Sequence, residues 1–241
     1  MKLFNRSTSL LVLGLFTVLT GCSQVSESEV DQVAEPQPEF VDTDPLVQLA
    51  PGVFYYEHDG GVRIKMNYFE FDETSLDAIR AKTAELDKLS AQNLDSLALE
   101  RSDRWTDELE VAEADMALFD SEAVQTALKA ELETRTGELS TLAYGCDNNA
   151  TARALSSGSG TKAQGKASCN GPFEYETSAE TVAEAGGGRP DRDDDEGDTY
   201  ASAYAEKSGT YACYSSAQAK SKVKIRVVVP AGRDTDRHSG C

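Results

Sequence analysis

Residues 146–169 read Cys146-Asp147-Asn148-Asn149-Ala150-Thr151-Ala152-Arg153-Ala154-Leu155-Ser156-Ser157-Gly158-Ser159-Gly160-Thr161-Lys162-Ala163-Gln164-Gly165-Lys166-Ala167-Ser168-Cys169. Small apolar and polar residues alternate from Ala150 to Leu155. Alanine is a poor strand former, so propensity alone favours helix. Alternation outweighs it because the period of two returns at Ala201–Ala205 and Ala217–Lys220 and continues through Val223, Ile225 and Val227. Glycine-bearing turns at 157–160 and 207–209 interrupt the pattern at hairpin spacing. Each half therefore reads as a hairpin: an alternating strand, a turn and a cysteine-containing strand. The two halves resemble a degenerate repeat.

The register predicts a cross-link. A turn centred on Ser157 and Gly158 makes Cys146 the cross-strand partner of Cys169, and such partners stand about 5.5 Å apart at Cα, within bridging range. Cys213 with Cys241 follows by elimination. Between Cys146 and Lys222 the only Leu, Ile, Val, Phe or Met are Leu155, Phe173 and Val182. So thin a core needs staples, and a disulfide typically adds about 2–4 kcal/mol.

Upstream the pattern changes. Val53–Tyr56 and Val62–Tyr68 flank Asp59-Gly60-Gly61, and Val62, Ile64, Met66 and Tyr68 recur at period two, which predicts a β-hairpin. Thr74-Ser75-Leu76-Asp77 opens a helix carrying Leu76, Ile79, Thr83, Leu86 and Leu89. Ser121–Arg135 predicts another, with Val124, Ala127, Leu128 and Leu132 on one stripe. Trp105–Phe119 threads as either state. The expected fold class is α+β. A hairpin-and-helix unit over 51–144 precedes a disulfide-bonded, sandwich-like antiparallel β domain over 145–232, and 233–241 form a polar tail fastened by Cys241. Residues 22–50, rich in Ser, Glu, Gln, Asp and Pro, cannot bury enough apolar surface to order themselves and predict an acidic stalk.

The first residues carry Lys2 and Arg6 ahead of a short apolar run, Leu10–Leu19, too short for a stable span of about 20 residues. The run closes on Leu19-Thr20-Gly21-Cys22, which resembles the lipobox of bacterial lipoproteins. The resemblance covers residues 1–22 only. It implies a diacylglyceryl group on the Cys22 thiol, cleavage just before it, and residence in the cell envelope. Ser23 resembles the signal for sorting to the outer membrane. The membrane partner is then the lipid anchor, held by about 0.8 kcal/mol per buried methylene. An exported chain meets oxidising conditions, so the four remaining cysteines read as a disulfide framework. Zinc is the competing reading, without a C-x-x-C pair to support it.

The formal charge is −19, and losing Lys2 and Arg6 with the leader deepens it to −21. Such a surface repels phosphate backbones, which argues against nucleic acid as a partner. No nucleophile-elbow, zincin, Walker or dinucleotide-binding motif occurs. His58 and His238 read as solvent-exposed. The acidic run Asp191-Arg192-Asp193-Asp194-Asp195-Glu196 reads as a solvated loop. Asp191, Asp193 and Asp195 are candidate Ca²⁺ ligands, although Glu196 and Ser202 stand where an EF-hand needs Gly and Glu. Tyr200 and Tyr204 share a strand face, with Tyr211 expected to approach across the hairpin. Such a row either stacks on sugars or protein, or packs a core poor in aliphatics. The expected function is a non-enzymatic binding module for protein or carbohydrate. An exported hydrolase with a carboxylate site, and a helical pro-segment regulating the β domain, are the alternatives.

Overall fold

The hairpin register read from the sequence is the one the chain adopts. The computed structural model describes residues 44–93, 96–135, 145–155, 160–186 and 188–240. Strand β4 (Gly145–Ala154) pairs antiparallel with β5 (Gly160–Asn170), and Cys146 faces Cys169. The two sulfurs are bonded, with Cα atoms 4.1 Å apart.

The remaining elements in chain order are β1 (Val47–Ala50), β2 (Val53–His58), β3 (Gly61–Asn67), α1 (Ser75–Asn93), α2 (Ser96–Phe119) and α3 (Glu122–Arg135) before β4. After β5 come β6 (Glu174–Ala185), β7 (Asp191–Gly197), β8 (Tyr200–Ser208), β9 (Ala212–Lys224) and β10 (Val228–Ser239). They form a seven-stranded sheet, β1-β2-β3-β10-β9-β6-β7, and a three-stranded sheet, β4-β5-β8.

Strand parity sorts three layers. On β3, Val62, Ile64 and Met66 join Ile79 and Leu86 of α1 and Trp105 of α2 in one buried cluster. Arg63 and Lys65 point to the other face and meet Asp234 and Asp147. On β10, Arg233 reaches Glu108 of α2 at 3.1 Å, while its neighbours Asp234 and Asp236 reach β4. Helices thus cover one face of the long sheet at its β1-to-β10 end, and the short sheet covers the opposite face. Helix α3 lays Val124 and Leu128 on Val229.

Between the sheets the apolar packing is mostly alanine, with Thr161, Thr177, Thr181, Ser215 and Ser221 also buried at the same strand parity. Ala150, Ala152, Ala163, Ala167, Ala201, Ala203 and Ala205 of the short sheet are completely buried, as are Ala183, Ala217 and Ala219 opposite. Small side chains let the backbones approach closely. At Gly165 an added Cβ would lie 2.5 Å from the Gln218 carbonyl oxygen, so nothing larger than hydrogen fits.

Both edges of the short sheet are closed by carboxylates. Asp234 and Asp236 each accept a main-chain N–H of β4, from Ala150 and Ala152, at 2.9 Å. Asp195, Asp193 and Asp191 accept the N–H groups of Ser202, Tyr204 and Glu206 on β8 at 2.8, 2.8 and 3.0 Å. An open strand edge invites pairing with another chain, and these side chains occupy its donors instead.

Four sequence expectations are corrected here. The hairpin unit and the β domain share one sheet, because β3 pairs with β10 over Gly61–Asn67. Arg233–Ser239 are no polar tail but most of β10, in the middle of that sheet. The strands β8 and β9 do not pair: β8 joins β5 and β9 joins β6 and β10, so the second half is not a hairpin. Residues 47–50, assigned to the stalk, form β1 against β2. The ambiguous segment 105–119 lies within α2.

Candidate functional site

The outer face of the three-stranded sheet carries every second residue of its strands. Across it Ser168 pairs with Tyr200, and Gln164 with Tyr204, so the two tyrosines stand on the same side of β8 as parity required. Tyr200 is 51% exposed, and the Lys166 Nζ lies 5.6 Å from its ring centroid. The Tyr204 hydroxyl donates to Glu206. Burial, then that bond to the carboxylate, raise the Tyr204 pKa to about 12, so the phenol stays protonated at neutral pH.

Tyr211 does not join the row. It is 53% exposed and sits at the end of β6, where a Cβ on Gly186 would fall 2.3 Å from its ring and its carbonyl accepts the Gly186 N–H. The acidic run also falls elsewhere than expected. It is strand β7 rather than a solvated loop, paired to β6 from Asp191 to Gly197. The candidate Ca²⁺ ligands Asp191, Asp193 and Asp195 each spend one carboxylate oxygen on β8. Among the described residues no group of three or more His, Cys, Asp or Glu side chains is placed to hold a metal ion. Cys22 lies outside the described residues, as do Cys241 and the side chain of Cys213.

A buried ionic cluster escaped the sequence reading. Arg63, fully buried on β3, donates from Nη2 to Asp234 Oδ2 at 2.6 Å and from Nη1 to Asp44 at 3.2 Å. Arg153 of β4 donates to Asp236 at 2.8 Å and also reaches Asp44. Asp236 takes the His58 Nε2 at 2.8 Å as well. Of the two histidines, both expected in solvent, His238 is buried at 6% exposed and His58 is half-buried; their rings are parallel within 1° and 6.2 Å apart. Burial, and next the neighbouring His58, hold the His238 pKa below its ordinary value. Burial lifts the Asp234 carboxyl to about 6 against the pull of Arg63. Gly60 turns the β2–β3 hairpin at φ +76°, and a Cβ there would press on His238 at 2.9 Å. Among the described residues Asp234 and Asp236 are two carboxylates at alternate positions of β10, and they bear on the carboxylate-site alternative. Both are wholly buried and held by cations and main-chain N–H groups, an arrangement suited to clamping β3, β4 and β10 together. The signal was present in Arg63 and in Asp234-Thr235-Asp236, charges at alternate positions of complementary strands.

A cleft of about 380 Å³ opens beside β4, between Phe54, Lys65 and Glu70 on one side and Asp147 and Asn148 on the other. Among the described residues no helix is long and apolar enough to cross a membrane. Comparison of the chain with protein-family models, with curated proteins and with solved structures finds no match.

Proposed function

We propose that the chain is a lipid-anchored protein of the bacterial cell envelope, held through Cys22 at the outer membrane, that binds protein or carbohydrate on the outer face of its three-stranded sheet. The observation that carries this reading is Tyr200, an aromatic ring more than half exposed beside Lys166 on the outer face of the short sheet. Tyrosine offers a large contact area for little conformational entropy, and its hydroxyl supplies a polar handle. Tyr204 and Glu206 extend the polar part of the same face. The surplus of acidic groups keeps nucleic acid away.

Two measurements test the reading separately. Cells fed a labelled fatty acid should label the wild-type protein and leave Cys22→Ser unlabelled; an unlabelled wild type removes the anchor. A photo-crosslinking residue at position 200, together with a glycan array, should capture an envelope protein or a sugar, and Tyr200→Ala should abolish the array signal. Capture equally efficient from position 196, on the opposite sheet, would remove the tyrosine face.

A further inference from the structure

We infer that the β9–β10 end of the molecule rests on an anionic lipid bilayer, with Val227 and Val228 below the headgroups and Arg226 among their phosphates. This surface is separate from the tyrosine face, and it takes from the anchor reading only the nearness of a membrane.

The turn joining β9 to β10 is Ile225-Arg226-Val227. Tight connections are normally made by Gly, Pro, Asn, Asp and Ser, which adopt the required backbone angles or bond to the turn. None stands here, whereas the β2–β3 hairpin, toward the other end of β10, turns on Asp59 and Gly60. A local choice that contradicts the local structure points to function. Ile225 is accounted for by packing, since it lies against Val124, Leu128 and Val229. Val227 and Val228 are not, being 47% and 43% exposed. The tip also projects: the pairing of β3 with β10 stops at Asn67 and Gly232, four residues short of Val228. Apolar surface continues behind it. Phe119 packs on the same cluster as Ile225 and lines a groove of about 320 Å³ together with Phe69, Phe173 and Lys129.

Charge is sorted the same way. Residues 207–233 contain no Asp or Glu, in a chain that has 42 of them, and carry Lys207, Lys220, Lys222, Lys224, Arg226 and Arg233. Arg226 is exposed beside the valines, with no carboxylate bonded to it among the described residues. Lys222 and Lys224 share Glu176 of β6 at 3.4 and 3.7 Å, and Glu174 stands opposite Lys224. Pairs this exposed are weak, and a lipid phosphate can take the place of the carboxylate. Apolar side chains that enter the acyl boundary while neighbouring Lys and Arg stay among anionic headgroups are the mark of an interfacial segment. The projecting tip suits a bilayer rather than a protein groove. From Cys22 to Asp44 the chain reaches about 70 Å at full extension, so an anchor at Cys22 leaves this end free to touch the same membrane.

The native chain has a single tryptophan, Trp105, and it is fully buried, so an indole introduced at the tip reports on lipid by itself. The full chain carrying Val227→Trp is reconstituted in phosphatidylglycerol vesicles with brominated acyl chains, which quench indole on contact. The added emission should shift to the blue and fall by about half. Wild type and Asp59→Trp, on the exposed β2–β3 turn, should stay bright. Arg226→Glu in the Val227→Trp chain should cut the quenching about threefold, and so should brominated phosphatidylcholine in place of phosphatidylglycerol. A chain that proves to carry no fatty acid is mixed with the same vesicles from solution, so failure of the anchor reading and failure of this one are read apart. An unquenched Val227→Trp, equal quenching of Asp59→Trp, or equal quenching in the two lipids overturns the inference.

Discussion

The two faces of the seven-stranded sheet solve the same problem by opposite means. Toward the helices, β3 buries Val62, Ile64 and Met66 against Ile79, Leu86 and Trp105, and the Trp105 ring meets Tyr55 edge-on at 6.1 Å. Toward the short sheet the covering layer is alanine, so little apolar area is removed from water per residue. That side gains its hold from close backbone approach, from aspartates seated on the strand edges, from the Arg63–Asp234 and Arg153–Asp236 pairs, and from the Cys146–Cys169 disulfide. A large-residue core tolerates loss of volume badly, whereas an alanine layer tolerates gain of volume badly.

The largest effect should come from cutting the ionic clamp. Asp236→Ala strips Arg153, His58 and the Ala152 N–H of their shared partner and should cost about 3–5 kcal/mol in urea unfolding. Trp105→Ala on the helix side should cost a similar amount through its cavity. If Asp236→Ala cost no more than a surface substitution, the clamp would be ornamental and the contrast between the faces would fail.

The disulfide comes next. Replacing Cys146 and Cys169 together by serine should lower stability by about 2–4 kcal/mol. Hydrogen exchange should speed up in β4 and β5 before it does in α1 and α2, because the link joins only the short sheet. Uniform acceleration throughout the chain would show that the two sides unfold as one unit.

Overpacking sharpens the comparison further. Ala203→Val adds two methyl groups at a fully buried position and should cost about 1–3 kcal/mol. Ile64→Val, which removes one methylene from the helix-side core, should cost about 0.5–1.5 kcal/mol. Thermal unfolding of the two variants would reverse this order if the alanine layer had slack.

The smallest effect is a pH slope. Because His238 has a lowered pKa in the folded protein, the unfolded chain takes up a proton that the native ring refuses. The stability His238 confers is therefore complete above its ordinary 6.5 and is lost as pH falls below that value. Asp234 has the opposite sign: its raised carboxyl pKa makes its contribution grow as pH falls through about 6. His238→Gln should remove only the first component, so the variant should lose less stability than the wild type between pH 7.5 and 5.5. Parallel profiles would show that His238 does not titrate on unfolding.

The site was legible in part for the same reasons. Tyr200 and Tyr204 share a face because parity within a strand is local, and Cys146 meets Cys169 because a two-strand register depends only on the turn between them. Tyr211 was misplaced because its position depends on which sheet β9 joins. The acidic run was misread because Asp191, Asp193 and Asp195 alternate with Arg192 and Asp194, and composition hid the period of two that makes β7 a strand.

What the chain determined locally is therefore the set of elements it forms: the β2–β3 and β4–β5 hairpins and the helical stripes, all governed by side-chain period and by turns a few residues long. Only the tertiary structure decided that β8 and β9 part company, that β10 enters the centre of the long sheet, and that Asp234, Asp236 and His238 become interior groups. Those outcomes depend on partners distant in sequence, such as Arg63 for Asp234 and His58 for Asp236. A charge reads as solvated until the strand that neutralises it is in place beside it.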